Sequence, residues 1–292
     1  MDRAASYAGF WFAGLTWGLR ALLRARTFAE AQSALRYILS PVDLWRYVEF
    51  HALLDAWNSN GRTLDVGSPK LATLLAPRHN SKLRCATDIT FHPLMELKTY
   101  LHKSSYLKAV QCDGCALPFP SESFSFVFSI SALEHIGDNG DTRCMRDIAR
   151  VLSPGAQLFL TVPLLPNYHE LWVNADPYGH QSTDKDGRVF FSRYYNTESL
   201  NARLIAPSGL KIVWMRAWQE STAGWYARYV QRTSNPRSLQ SILIKSLDWY
   251  WAWTRLELLD DPPAGLTKHG VVALLLEKSR DDGQTSGCRG EV

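Results

Sequence analysis

GRTLDVGSPKLATLLA, residues Gly61 to Ala76, decides how the rest of the chain is read. Thr63, Leu64 and Val66 make a short buried strand, and Asp65 interrupts it at its end. Gly67 permits a tight turn that side chains resist. Lys70 to Ala76 is rich in helix formers. In α/β proteins, strand, glycine turn and helix in that order bring a ligand against backbone N–H groups and a helix N-terminus. One Gly and one Asp are a weak signal alone, so the segments C-terminal to them carry the weight.

SKLRCATDIT supplies a second strand at Leu83 to Thr87, with Asp88 at its end. That carboxylate stands about twenty positions after the glycine turn, where dinucleotide-type folds accept hydrogen bonds from ribose hydroxyls. Taken alone, Asp88 reads as a helix cap, because Pro93 and the MELKTYL run predict a helix next. Leu107 to Gln111 is a third strand, and Asp113 follows in a loop closed by Pro118 and Pro120. Phe124 to Ile130 is almost wholly apolar and reads as a fourth, buried strand. Glu134 and His135 fall just beyond its C-terminal end, the edge where ligands sit in an open α/β sheet. Asp141 to Leu152 is a helix stopped by Ser153, Pro154 and Gly155. Gln157 to Val162 is a fifth strand, ended by Pro163. This rhythm predicts an α/β fold, a doubly wound, mostly parallel sheet with helices on both faces.

The flanks are read outward from that unit. Ala8 to Leu23, AGFWFAGLTWGLRALL, is too short between charges for a transmembrane helix. Asp2 and Arg3 make a poor start for a signal peptide. Trp and Phe beside Arg20, Arg24 and Arg26 fit a helix lying in a membrane interface; a helix packed on the main domain fits as well. Residues 1–40 are thus an N-terminal helical segment. Pro41 opens the next helix with Ser40 as its N-cap. Its core face carries Leu44, Tyr47, Val48, Leu53, Leu54 and His51, the last a satisfied core histidine. Residues 164–192 are too polar for core and too long for a passive connection, so they read as a lid. Tyr194 to Leu204 is a helix and Lys211 to Trp218 a sixth strand. Residues 219–268 are an insertion with two helical patterns. Its cluster Trp249, Tyr250, Trp251 and Trp253 is either core or membrane-facing. Gly270 to Glu277 is a last strand, and residues 281–292 form a polar, disordered tail.

Composition narrows the function classes. The chain has 292 residues, 46% hydrophobic and 21% charged, which is globular and large enough for a sizeable core. The net charge of +4 is scattered, with no nucleic-acid stripe, so a nucleic-acid partner is not expected. Five Cys form no framework and suit a reducing compartment, the cytoplasm, with peripheral contact on the inner face of the membrane through the N-terminal helix. Cys112 and Cys115 make one CxxC without a second pair, so no metal is expected.

Three stretches together resemble the class I S-adenosylmethionine-dependent methyltransferases, in particular the small-molecule enzymes acting on lipids, quinones, sugars and polyketides. TLDVGS is similar to that family's first motif. DGCALPFPSESFSFVF resembles its Asp-x-x-x-Leu-Pro-Phe stretch and fourth strand. LEHI followed by ARVLSPGAQLFLTVP resembles its LEH and fifth-strand run. The resemblance covers Leu64 to Pro163 and extends by fold to about Glu277. It implies a methyltransferase-like domain over 41–280 and a seven-stranded sheet with an antiparallel last strand, the place GVVALLLEK occupies. It implies S-adenosylmethionine as cofactor. Gly67 would approach the methionine part, with Asp65 orienting the loop or meeting the cofactor amine through water. Asp88 would hold the ribose hydroxyls. Asp113 would accept from the adenine amino group beside the Gly114–Cys115 backbone, and Ser129 and Ile130 would line the sulfonium. Without the family, Asp65 and Asp113 read as turn caps. Two residues depart from the pattern: Pro69 stands where a second Gly is usual, and Ser125 where an acidic residue is usual.

The reaction implied is methyl transfer to a small-molecule, lipid-linked or sugar hydroxyl. His135 is the first candidate base, its pKa suited to proton transfer near neutrality, against a reading in which it caps or packs. His169 and His180 in the lid come next, and Glu134 would orient or act. The alternative, from a different class, is a non-catalytic, membrane-associated scaffold on a degenerate methyltransferase fold.

Overall fold

The computed structural model describes residues 3–40, 42–58, 61–75, 83–90, 94, 107–174, 183–235, 238–259 and 266–280. Five strands run parallel: β1 (Arg62–Val66), β2 (Leu83–Asp88), β3 (Leu107–Gln111), β4 (Phe124–Ile130) and β5 (Leu152–Leu164), in the spatial order β3-β2-β1-β4-β5. A separate antiparallel ribbon pairs β6 (His169–Val173) with β7 (Val189–Tyr194). The main sheet continues through β10 (Gly270–Glu277), β8 (Lys211–Glu220) and β9 (Leu256–Leu258), with β10 antiparallel to both β5 and β8. The sheet therefore has eight strands where seven are expected. The extra one, β9, is three residues long, too short for an alternation to register.

The helices are α1 (Arg3–Leu22), α2 (Phe28–Leu39), α3 (Arg46–Ala56), α4 (Lys70–Leu75), α5 (Gly140–Val151), α6 (Thr197–Leu200), α7 (Ala206–Ser208), α8 (Trp225–Thr233), α9 (Leu239–Ser246) and α10 (Asp248–Arg255). A π turn (Asn201–Ile205) joins α6 to α7, and a 3-10 turn (Leu133–His135) follows β4. On one face of the sheet Cys144, Met145, Ile148 and Val151 of α5 pack against β4 and β5, with Leu200 and Leu204 beside them. Their spacing is the apolar stripe of a surface helix. On the other face Phe126, Phe128 and Phe159 meet Tyr47, Phe50 and Leu53 of α3, Tyr7 and Phe10 of α1, and Ala252 of α10. Burial on both faces explains the near-continuous apolar reading of β4.

Several boundaries differ from the sequence reading. Ser40 follows α2, and α3 starts at Arg46 after Trp45, which makes no side-chain cap bond. Buried Val42 and Leu44 and the Trp45–Tyr226 ring contact hold the preceding turn down, so packing rather than capping sets that start. Pro41 lies outside the described residues. His51 is only partly buried, its Nε2 3.8 Å from Asp55. The helix read over Asp141 to Leu152 ends at Val151, and Ser153 to Gly155 beyond it form the irregular start of β5, where the register with β4 shifts. Pro163 lies inside β5, and its carbonyl accepts the Tyr195 N–H.

Within the stretch read as a lid stands the β6–β7 ribbon; residues 175–182, His180 among them, lie outside the described residues. Tyr194 ends β7, and the next helix starts at Thr197 behind an Asn196–Ser199 capping box. Among its described residues the insertion holds three helices instead of two, and Gln219 and Glu220 belong to β8. The expected helix over MELKTYL and the tail 281–292 lie outside the described residues.

Candidate functional site

The turn after β1 is tied to itself. Asp65 is fully buried; its Oδ1 accepts the Ser68 N–H at 3.0 Å and its Oδ2 accepts the Thr73 hydroxyl. Burial pushes the Asp65 carboxyl pKa up, while Lys70 pulls the other way. Gly67 has φ +70°, and a Cβ there would stand 3.1 Å from the Ala132 Cβ, so both conformation and space call for glycine. Its N–H donates to Thr87 O at 3.1 Å. Ser129 Oγ donates to Val66 O at 2.7 Å, and the Ile130 N–H donates to Ser68 Oγ at 3.0 Å. Ser129 and Ile130 are fully buried and stitch β4 to the turn. Pro69 brings no N–H.

The residue the sequence reading missed here is Lys70. Its buried ammonium donates to Ser68 O at 2.9 Å and Thr87 O at 3.1 Å, and lies 3.1 Å from Asp88 Oδ2. An ammonium has three donors, and these acceptors use all three. Asp88 Oδ1 takes the Thr90 N–H and hydroxyl, each at 3.0 Å. A lysine opening a helix beside two strand-end carboxylates was the available signal. At the end of β3, exposed Asp113 accepts the Cys115 N–H at 2.8 Å, an Asx turn. Gly114 brings the backbone against Cys144 Sγ, 3.1 Å from where its Cβ would be. The Cys115 thiol donates to Gly140 O at 3.2 Å, and burial lifts its pKa to about 11.

A cavity of about 390 Å³ opens beyond the C-terminal ends of β4 and β5. His135 and Glu134 stand in its wall. His135 Nδ1 lies 2.7 Å from Phe191 O. A carbonyl only accepts, so Nδ1 carries the proton and Nε2 is the basic nitrogen. Burial lowers the His135 pKa, so the ring is neutral at pH 7. Glu134 Oε1 is 3.8 Å from that Nε2. Glu134 Oε2 is buried without a hydrogen-bond partner. Burial raises the Glu134 pKa to about 8 against the opposing pull of Arg46. Fully buried Glu49 pairs with Arg46 at 2.5 Å and accepts the hydroxyls of Ser131 at 2.6 Å and Thr161 at 2.9 Å. Rings form another wall. Tyr226 stacks on His269 with centroids 4.5 Å apart, and Trp45 and Tyr194 stand at 5.4 Å and 5.5 Å from the same imidazole. Burial lowers the His269 pKa to about 4.

Behind the cavity, fully buried Arg193 donates to Ile136 O and Asp138 O and reaches Glu170 at 3.2 Å. Asp141 is also fully buried and accepts from Tyr195 at 2.9 Å and from Arg203 at 2.8 Å. These bonds fix the loop that carries His135. His169, exposed on β6, packs on Tyr194 and does not line the cavity; His180 lies outside the described residues. Among the described residues no group of three His, Cys, Asp or Glu side chains could hold a metal ion. Trp45, Arg46, Glu49, Tyr226 and His269 were not read from sequence as site residues. The one signal was Glu49, an acid within an apolar helix.

The methyltransferase-domain family matches residues 64–160. No curated protein matches the sequence. Among solved structures, an S-adenosylmethionine-dependent methyltransferase from Methanosarcina mazei is similar at TM-score 0.50 and 14% identity, over 82% of this chain and 100% of its own. A putative sarcosine dimethylglycine methyltransferase from Galdieria sulphuraria is similar at TM-score 0.48 and 16% identity, over 86% of this chain and 88% of its own. A putative methyltransferase from Bacillus halodurans stands at 0.48 and 18%, over 80% and 98%. At these identities the likeness is one of fold. Asp88 and Asp113 stand at the ends of β2 and β3, the edge where an open α/β sheet takes ligands, and both carboxylates are engaged within the protein.

Proposed function

We propose that the protein, whose residues 64–160 match the methyltransferase-domain family, uses S-adenosylmethionine to methylate a hydroxyl of a small-molecule or lipid-linked acceptor, such as a sugar, bound in the cavity beyond β4 and β5. One observation carries this reading. A neutral imidazole with its basic nitrogen set by the Phe191 carbonyl stands in the wall of a ring-lined cavity, directly after the strand that borders the cofactor turn. The cavity's 390 Å³ suits a small ligand.

When bound, S-adenosylmethionine supplies an electrophilic methyl group on a sulfonium. Asp88 and Asp113 would hold the adenosyl part, and the backbone at Gly67 would lie along its methionine part. His135 Nε2 would take the proton from the acceptor hydroxyl as it is methylated. Glu134, protonated at neutral pH, offers its Oε2 to the acceptor as a hydrogen-bond donor. Trp45, Tyr194 and Tyr226 cover the acceptor and exclude water.

The test is calorimetric titration with S-adenosylmethionine and S-adenosylhomocysteine, beside Asp88→Ala, followed by transfer of labelled methyl to hydroxylated glycans and glycolipids. Saturable binding that the variant loses, with transfer to a hydroxyl, supports the reading. Binding without transfer to any hydroxyl acceptor removes the acceptor class. The Lys70–Asp88 pair favours a second reading, a non-catalytic scaffold on the same fold, which predicts no binding at all.

A further inference from the structure

The apolar surface left uncovered is concentrated on two neighbouring pairs of helices. At the tip between α1 and α2, Leu23 is 87% exposed and Phe28 85%. Leu19, Leu35 and Leu39 are also exposed on these helices. In the insertion, Leu239 is 78% and Leu243 66% exposed, one turn apart on α9, and Leu247, Tyr250 and Trp253 come after them. α1 packs on α10 and α2 on α9, so the two apolar sets lie on adjoining helices. Large apolar side chains grouped in this way on a surface mark an interaction site.

Charge selects the occupant. Exposed Arg20, Arg24 and Arg26 surround Leu23 and Phe28. The nearby acid, Glu30, spends its Oε2 on the backbone N–H groups of Arg26 and Thr27. Leucine and phenylalanine among arginines, with Trp253 and Tyr250 on the partner pair, are the make-up of a surface that lies in the headgroup region. Among the described residues no helix is long and apolar enough to cross a membrane. We propose that the α1–α2 tip and α9 together dock the protein on an anionic lipid bilayer. The inference does not depend on methyl transfer, because it rests on these surfaces alone.

The test is flotation of the full chain with phosphatidylcholine vesicles, with and without phosphatidylglycerol, at low and high salt. Leu23→Ser/Phe28→Ser and Leu239→Ser/Leu243→Ser are run alongside, their fold checked by circular dichroism and thermal melting. The expected result is flotation that needs the anionic lipid, weakens with salt and falls about tenfold or more in each double variant. No flotation of the wild type, or flotation unchanged in both variants, overturns the proposal. So does light scattering that finds a wild-type dimer which either variant turns into a monomer, since the surface is then an interface between copies.

Discussion

The Lys70 ammonium lies 3.1 Å from the Asp88 carboxylate and has its remaining donors on the Ser68 and Thr87 carbonyls. A charge-saturated lysine thus occupies the carboxylate that, in the proposed function, would hold a ribose diol. It sits on a turn in which Pro69 stands in place of a residue with an N–H. On that proposal an adenosyl ligand would compete with an ion pair inside the protein, which would lower its apparent affinity.

Lys70→Met should therefore bind S-adenosylhomocysteine about tenfold tighter than the wild type, a gain on the order of 1.4 kcal/mol. The same change should destabilise the fold by on the order of 3 kcal/mol, because Asp88 loses its cation. Calorimetry and urea denaturation read the two effects separately. Equal or weaker binding in the variant would show that Lys70 helps hold the ligand.

Gly67→Ala puts a side chain at φ +70° and 3.1 Å from Ala132. The left-handed conformation alone costs roughly 1–2 kcal/mol, and the contact adds to it. The denaturation midpoint should drop by a corresponding amount. A midpoint equal to the wild type would mean that the turn after β1 relaxes freely.

His135→Gln should lower the rate of transfer by about a hundredfold or more and leave S-adenosylhomocysteine affinity unchanged, because the imidazole faces the acceptor cavity. Because burial lowers the His135 pKa, the acid limb of wild-type activity, where Nε2 becomes protonated, should lie below the ordinary histidine range. A variant with full activity would reduce His135 to a packing residue.

Glu134 makes stability depend on pH. Its folded pKa of about 8 stands above the ordinary 4.5 because of burial. Between those values the native protein keeps a proton that the unfolded chain releases, so the stability linked to it is full below about pH 4.5 and is lost as pH rises to about 8. Glu134→Gln should flatten that decline in melting temperature. Asp248, also raised to about 8 by burial, keeps its own share in both proteins. Parallel curves for the two proteins would place Glu134 in contact with water.

Arg193→Met leaves the Ile136 carbonyl without its guanidinium donor, the Asp138 carbonyl with only the donor from Arg203, and Glu170 without its cation. The expected loss is on the order of 3–5 kcal/mol, read as a lower midpoint in thermal unfolding. A small change would show that water replaces the guanidinium.

The strands of the main sheet were legible where they are buried on both faces. Phe124 to Ile130 and Gly270 to Glu277 are apolar runs bounded by polar or turn residues, and that pattern survives without knowledge of their neighbours. The β6–β7 ribbon was not legible, because HELWV and VFFSRY carry polar side chains whose partners lie elsewhere in the chain. Arg193 is the clearest case: nothing local marks it as buried, and it is buried because two backbone carbonyls and Glu170 converge on it. Lys70 likewise reads as a solvated first-turn lysine until β2 brings Asp88 to meet it.

Local order in the chain thus determined the parallel half of the sheet, its glycine turn and the placing of Asp88, Asp113 and His135 at strand ends. Short-range periodicity and turn chemistry act between residues close in sequence. The cavity was settled by packing alone. Its walls come from Glu49, Glu134, Phe191, Tyr226 and His269, which meet only after α3 and the insertion helices close over the ends of β4 and β5. The shifted pKa values of Glu134, Tyr226 and His269 arise from burial, a property no single stretch of sequence possesses.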